Sequence, residues 1–137
     1  MKKLFLLAPV LIICLAGCGA EKSPLAPIQG VVTLDGEPLE GAVVRFFPIA
    51  TGDSIVAGPS TIGKTDSQGV FGLETVDGRR GASVGSNVVR ISKFPLEEGQ
   101  GGTARDLLPK RYNAKSELTF QVEPGVTNSA NFDLESR

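Results

Sequence analysis

Ile28-Gln29-Gly30-Val31-Val32-Thr33-Leu34 runs directly into Asp35-Gly36, and after Glu37-Pro38-Leu39-Glu40-Gly41 the chain resumes as Ala42-Val43-Val44-Arg45-Phe46-Phe47. Both apolar runs are short and rich in β-branched or aromatic residues, which suit a pleated, half-buried surface. Asp-Gly between such runs is a strong hairpin signal, because a type I′ turn needs positive φ at both central residues. Pro48 fits the end of the second run because it has no N–H to donate to a ladder. The period is two, and the segment predicts a strand, a turn and a second strand.

Downstream the same grammar repeats. Ile49 to Ser60, with Gly52, Gly58 and Pro59, reads as a loop, and Thr61 to Thr65 as a weak strand. Asp66-Ser67-Gln68-Gly69 reads as a tight turn, with Asp capping it and Gly in the left-handed position. Val70-Phe71-Gly72-Leu73 and Ser86 to Ser92 follow as strands. Leu118-Thr119-Phe120-Gln121-Val122 alternates most clearly, with Leu118, Phe120 and Val122 facing inward. Glu123-Pro124-Gly125 turns the chain, and Ala130 to Leu134 closes it. After residue 20 no stretch sustains helical periodicity, and a helical turn begun by Leu107 and Leu108 would be stopped by Pro109. The pattern predicts an all-β fold, a single antiparallel seven-stranded sandwich. Its expected core is Val32, Leu34, Val44, Phe46, Phe71, Leu73, Val89, Ile91, Leu118, Phe120, Val122, Phe132 and Leu134.

Composition narrows the function. The chain has 137 residues, 17 Gly, 9 Pro, no His and no Trp, and a formal net charge of -1. Such a length fits one domain. The charge balance gives no basic footprint for nucleic acid. A chain without His lacks the usual general base and the commonest metal ligand.

The N-terminus is a segment of another kind. Met1-Lys2-Lys3 is a positive head, Leu4 to Leu15 is apolar apart from Pro9, and small residues follow. This is the layout of a secretory signal peptide, too short to span about 30 Å of hydrocarbon as a helix. Its end, Leu15-Ala16-Gly17-Cys18, resembles the lipobox of bacterial lipoproteins. The resemblance implies removal of residues 1–17, a diacylglycerol on the Cys18 thiol and acylation of the new N-terminus. It places the protein outside the cytoplasm on a membrane. Gly19, where an Asp would retain the chain, favours the outer membrane or cell surface over the inner membrane. Cys14 would leave with the signal, so no thiol remains for a disulfide. Loss of Lys2 and Lys3 reduces the 14 basic residues to 12 against 15 acidic ones, a mature charge of -3. Residues 18–27, with Pro24 and Pro27, read as the lipidated Cys and a tether of at most about 30 Å, followed by the domain at 28–137.

The motif order carries a further resemblance. Gly30 to Val44, Thr65-Asp66-Ser67-Gln68-Gly69-Val70-Phe71, Leu108-Pro109-Lys110-Arg111-Tyr112 and Phe132-Asp133-Leu134 are similar to carboxypeptidase regulatory-like domains, which are transthyretin-like (prealbumin-like) sandwiches. These motifs are turn and strand chemistry, and they imply a fold far more than a function. The Gly-rich stretch from Glu97 to Thr103 departs from the family pattern and reads as a longer loop. Hydrolases with this fold use His, Arg and a C-terminal Tyr-Arg-Gly-Ser, whereas this chain has no His and ends Leu134-Glu135-Ser136-Arg137. That activity does not carry over.

Few residues remain as candidate sites. Asp35, Glu37, Glu40, Glu97 and Glu98 sit in turns and a loop, where carboxylates are ordinarily solvated, and not across a cleft as a glycosidase pair would be. Asp66 lacks the further oxygens of a calcium loop. Arg79-Arg80 and Lys110-Arg111 offer donors to anionic glycans or phosphates, and Tyr112 is the single Tyr. The expectation is a non-enzymatic envelope module without cofactor or metal. It would hold the membrane through Cys18 and present loops or an edge strand to an envelope protein or glycan, in an oligomeric state left open. The alternative is a carbohydrate- or small-ligand-binding module, which the lack of Trp disfavours.

Overall fold

Asp35 and Gly36 both take positive φ, 51° and 84°, and form the primed turn the dipeptide predicts. In the computed structural model, which describes residues 23–52, 57–96 and 105–137, this turn joins β2 (Ile28–Leu34) to β3 (Glu37–Pro38). The remaining strands are β1 (Leu25–Ala26), β4 (Val43–Pro48), β5 (Thr61–Lys64), β6 (Val70–Gly72) and β7 (Glu74–Thr75). They continue with β8 (Ala82–Ser83), β9 (Gly85–Ser92), β10 (Thr119–Val122), β11 (Asn128–Ser129) and β12 (Phe132–Leu134).

The hairpin is shorter than the sequence suggests. Only Glu37 and Pro38 pair with β2, opposite Leu34 and Thr33, and the chain then crosses to another sheet to form β4. Leu39 N–H donates to the Val32 carbonyl and Gly41 N–H to that of Thr65, so the crossing is hydrogen-bonded on both sides. The first sheet is antiparallel, in the order β10-β9-β4-β5-β7. The second is centred on β2, with β3 and β6 antiparallel to it and β11 and β12 parallel to it. A fully antiparallel arrangement therefore holds for the first sheet and for the small β1-β8 pair, but not for the sheet centred on β2. The C-terminal strand enters from a turn at the same end as Ile28, so it must run alongside β2 in the same direction.

Phe46 and Phe120 from the first sheet meet Phe132 and Phe71 from the second. Ring centroids are 5.8 Å apart for Phe46–Phe120, and 6.3 Å for both Phe46–Phe132 and Phe71–Phe132. This aromatic ladder joins the inner faces, the arrangement of a β-sandwich. Ten of the expected core residues are buried, while Leu34, Leu118 and Phe120 are partly buried against that core. Ala26, Ile28, Ala42, Ala82, Leu108, Tyr112 and Ala130 complete it.

Two local features shape the body. Residues 70–75 form one extended run that pairs with β2 up to Gly72 and with β5 from Glu74, changing sheets at the buried Leu73. A Cβ on Gly63 would lie 1.9 Å from the Gly72 carbonyl oxygen, so this close crossing requires glycine in β5. Pro109 starts a turn instead of stopping one. It precedes a 3₁₀ turn at Lys110–Tyr112, where its missing N–H costs nothing.

Leu25 and Ala26, which the sequence places in the tether, are part of the body. Leu25 and Ala26 pair with Ser83 and Ala82, and Ala26 is fully buried. The two prolines suggested a spacer, but Leu25 and Ala26 between them have apolar surface to bury. The lipobox residues Leu15, Ala16 and Gly17, the lipidation residue Cys18 and the loop 97–103 lie outside the described residues.

Candidate functional site

Strand register sorts the described turns named below between two ends. Pro48 lies opposite Asn87, Thr61 opposite Thr75, Val122 opposite Gly85 and Ile28 opposite Asn128. These pairs gather the chain after β4, the 76–81 hairpin and the 123–127 turn at one end, with Ser23. Lys64 and Ser92 flank Val43, and Leu34 lies beside Leu134, so the Asp35-Gly36 turn and the C-terminal tail share the other end. The two basic pairs singled out in the sequence fall at opposite ends and do not form one site.

At the Ser23 end, Thr75 organises the hairpin. Its hydroxyl donates to Asp77 and accepts from the Arg79 N–H at 3.0 Å, and its own N–H donates to the Arg79 carbonyl. The Thr75 hydroxyl is the main cause holding the Asp77 carboxyl below its ordinary value, and the nearby Arg79 charge adds to it. Arg79 donates Nε to Asp77 at 3.2 Å and Nη1 to the Ser23 carbonyl at 3.4 Å. Its charge thus holds a turn and the entering chain. Arg80 differs: it lines an open groove of about 440 Å³ with Lys64, Glu74, Pro27, Leu73 and the glycines of the sheet crossing.

At the tail end, the Arg111 guanidinium lies 4.7 Å from the Tyr112 ring centroid and donates to the carbonyls of Glu135 and Arg137. The buried Tyr112 accepts at its hydroxyl from the Glu135 N–H at 2.9 Å. Asp35 accepts from the Ser136 N–H at 3.0 Å, and Ser136 is the main cause lowering its carboxyl below the ordinary value. Lys110 supplies its carbonyl to the N–H groups of Asn113 and Lys115. With Arg111 over its ring, Tyr112 presents no open face for sugar stacking.

Other supports escaped the sequence reading. Asn128 is buried, accepts from the Glu123 N–H and donates to the carbonyls of Glu123, Val126 and Pro27. It ties the 123–127 turn to the start of β2. The sequence signal was an Asn three residues beyond Pro-Gly, a position able to close a turn with its side chain. Asn87 is fully buried and donates to Ser83 and Gly85, while its Oδ1 has no partner. Asp66 accepts at one carboxylate oxygen from the N–H groups of Gln68 and Val70, so that carboxylate closes its own turn.

Among the described residues, no three His, Cys, Asp or Glu side chains come together to hold a metal ion. The chemistry on display is hydrogen-bonded retention of chain segments, plus one open groove bearing two cations and a carboxylate. Comparison with family models, curated proteins and solved structures finds no match for this chain.

Proposed function

We propose that this protein is a non-enzymatic lipoprotein of the bacterial cell envelope, anchored through Cys18, whose sandwich serves as an interaction or structural module. The observation that carries the reading is the sequence from Met1 to Cys18, a positive head and apolar run ending in Leu15-Ala16-Gly17-Cys18. Several acyl chains on one residue, at about 0.8 kcal/mol per buried CH₂, hold a domain to a bilayer far more firmly than one chain. The domain belongs in this reading to the carboxypeptidase regulatory-like, transthyretin-like sandwiches, on the strength of the turn motifs quoted above. The structural employment of Arg79, Arg111 and Tyr112 supports a module over an enzyme. Its partner is an envelope protein or glycan, and its place is the outer membrane or cell surface.

Cross-linking of full-length tagged protein in living cells, with mass spectrometry of what is captured, tests the module. One reproducible envelope partner is expected, and none above background overturns it. Cys18→Ser should move the protein from the membrane fraction to the soluble or unprocessed pool. Retention of the processed variant on the membrane would sink the anchor. The groove beside Lys64 and Arg80 favours one second reading, a small anionic ligand. Titration calorimetry with acidic sugars tests that reading, and heat lost on Arg80→Gln would support it.

A further inference from the structure

We infer that the Ser23 end of the sandwich is held against the headgroup surface of the membrane that carries the Cys18 anchor; this orientation rests on the lipoprotein reading above. Chain length sets the orientation. Because Leu25–Ala26 is a strand and Ser23 is bonded to Arg79, the stretch between the anchor and the described body runs only from Cys18 to Ser23. Five residue steps reach at most about 18 Å. A body of this size has a radius of gyration of about 13 Å, and hence a diameter of about 34 Å. Inverting it would lift Ser23 by most of that diameter, beyond what the connection spans. The tail end, with Tyr112 and the Asp35-Gly36 turn, must therefore face away from the bilayer.

Chain length alone selects this end, since Phe94, Leu96 and Leu107 are exposed past β9 on the tail side; the surface at the Ser23 end is compatible with the placement. Val76 at the hairpin tip is 98% exposed, Val126 in the 123–127 turn 54%, and Ile49 just past β4 43%. Arg79 and Arg80 are offset there by Glu74, Asp77 and Glu123. A nearly neutral surface with three exposed aliphatic side chains fits zwitterionic headgroups without needing anionic lipid. Tethering supplies the high local concentration that three weak apolar contacts lack by themselves.

The test uses the full mature chain, purified from membranes and reconstituted into phosphatidylcholine vesicles carrying a headgroup-attached quencher. One fluorophore is placed at Val76→Cys or, in a second preparation, at Glu37→Cys; both positions are exposed. Quenching at position 76 is expected to exceed that at position 37 severalfold. Intact mass separates the two ways to fail. A chain without acyl groups on Cys18 overturns the lipoprotein reading, and the orientation falls with it. An acylated chain quenched equally at both positions, or more strongly at 37, overturns the orientation alone.

Discussion

At the tail end, Arg111 and Tyr112 grip the chain as it leaves the domain; at the Ser23 end, Thr75 and Arg79 grip the hairpin beside the chain as it enters. Both ends set a basic residue over a backbone carbonyl, yet they differ in what surrounds it. The tail end buries its aromatic ring and fixes three successive residues, Glu135 to Arg137. The Ser23 end leaves Val76, Val126 and Ile49 exposed. An arginine pair on a Gly-flanked loop is thus poor evidence for a ligand, because an incoming or outgoing chain offers carbonyls that need donors. Apolar exposure does not separate the ends, since Phe94, Leu96 and Leu107 are exposed just past β9 on the tail side; the difference lies in which part of the chain each end holds.

Single substitutions should separate the two ends. Phe46 touches rings from both sheets, so Phe46→Ala should cost about 3–5 kcal/mol and weaken both ends alike, as measured by denaturant unfolding. A loss confined to one end would mean the aromatic ladder does not couple them. Asn128→Ala removes the side-chain bonds closing the 123–127 turn and should cost about 2–3 kcal/mol, with faster amide exchange at the Ser23 end. Unchanged exchange there would show that the turn stands without it. Tyr112→Phe removes only the acceptor for the Glu135 N–H and should cost about 1 kcal/mol, with loosening confined to the tail. Faster exchange near Thr75 in that variant would contradict the independence of the ends.

The smallest effect expected is a titration. Asp35 and Asp77 both have folded-state values below the ordinary 3.8, the first chiefly through Ser136 and the second chiefly through Thr75. A depressed carboxyl contributes stability above its unfolded value, and that stability is lost as pH falls through the lower folded value. Tail and hairpin should both hold at neutral pH and loosen only in the acid range below about 4. Carboxyl chemical shifts followed from pH 7 to 2 should give both midpoints below 3.8. A midpoint at or above it for Asp35 alone would detach the tail from the account.

What the sequence disclosed was local. Asp35-Gly36 and Asp66 to Gly69 are turns written within four residues, where φ preferences and a side-chain acceptor suffice. The alternation of Phe120 and Val122 put the right faces inward. Pairings between distant segments were not legible, since β1 with β8 and β11 with β2 join residues far apart in sequence. Ala26, Ala42, Ala82 and Ala130 also escaped: a methyl group fits the core at close contacts but marks no period. The candidate residues were visible as chemistry but not as geometry. Nothing local says that Arg79 reaches Ser23 or that Tyr112 meets Glu135.

The central claim, a sandwich held to a membrane by its Ser23 end, stands or falls first on the mature N-terminus. Intact-mass spectrometry of the protein extracted from cell membranes, with fragmentation from the N-terminus, tests it most directly. The expected product is a chain beginning at Cys18 and carrying diacylglycerol with or without a further acyl group. A chain beginning elsewhere, or one with a free thiol at Cys18, would contradict it.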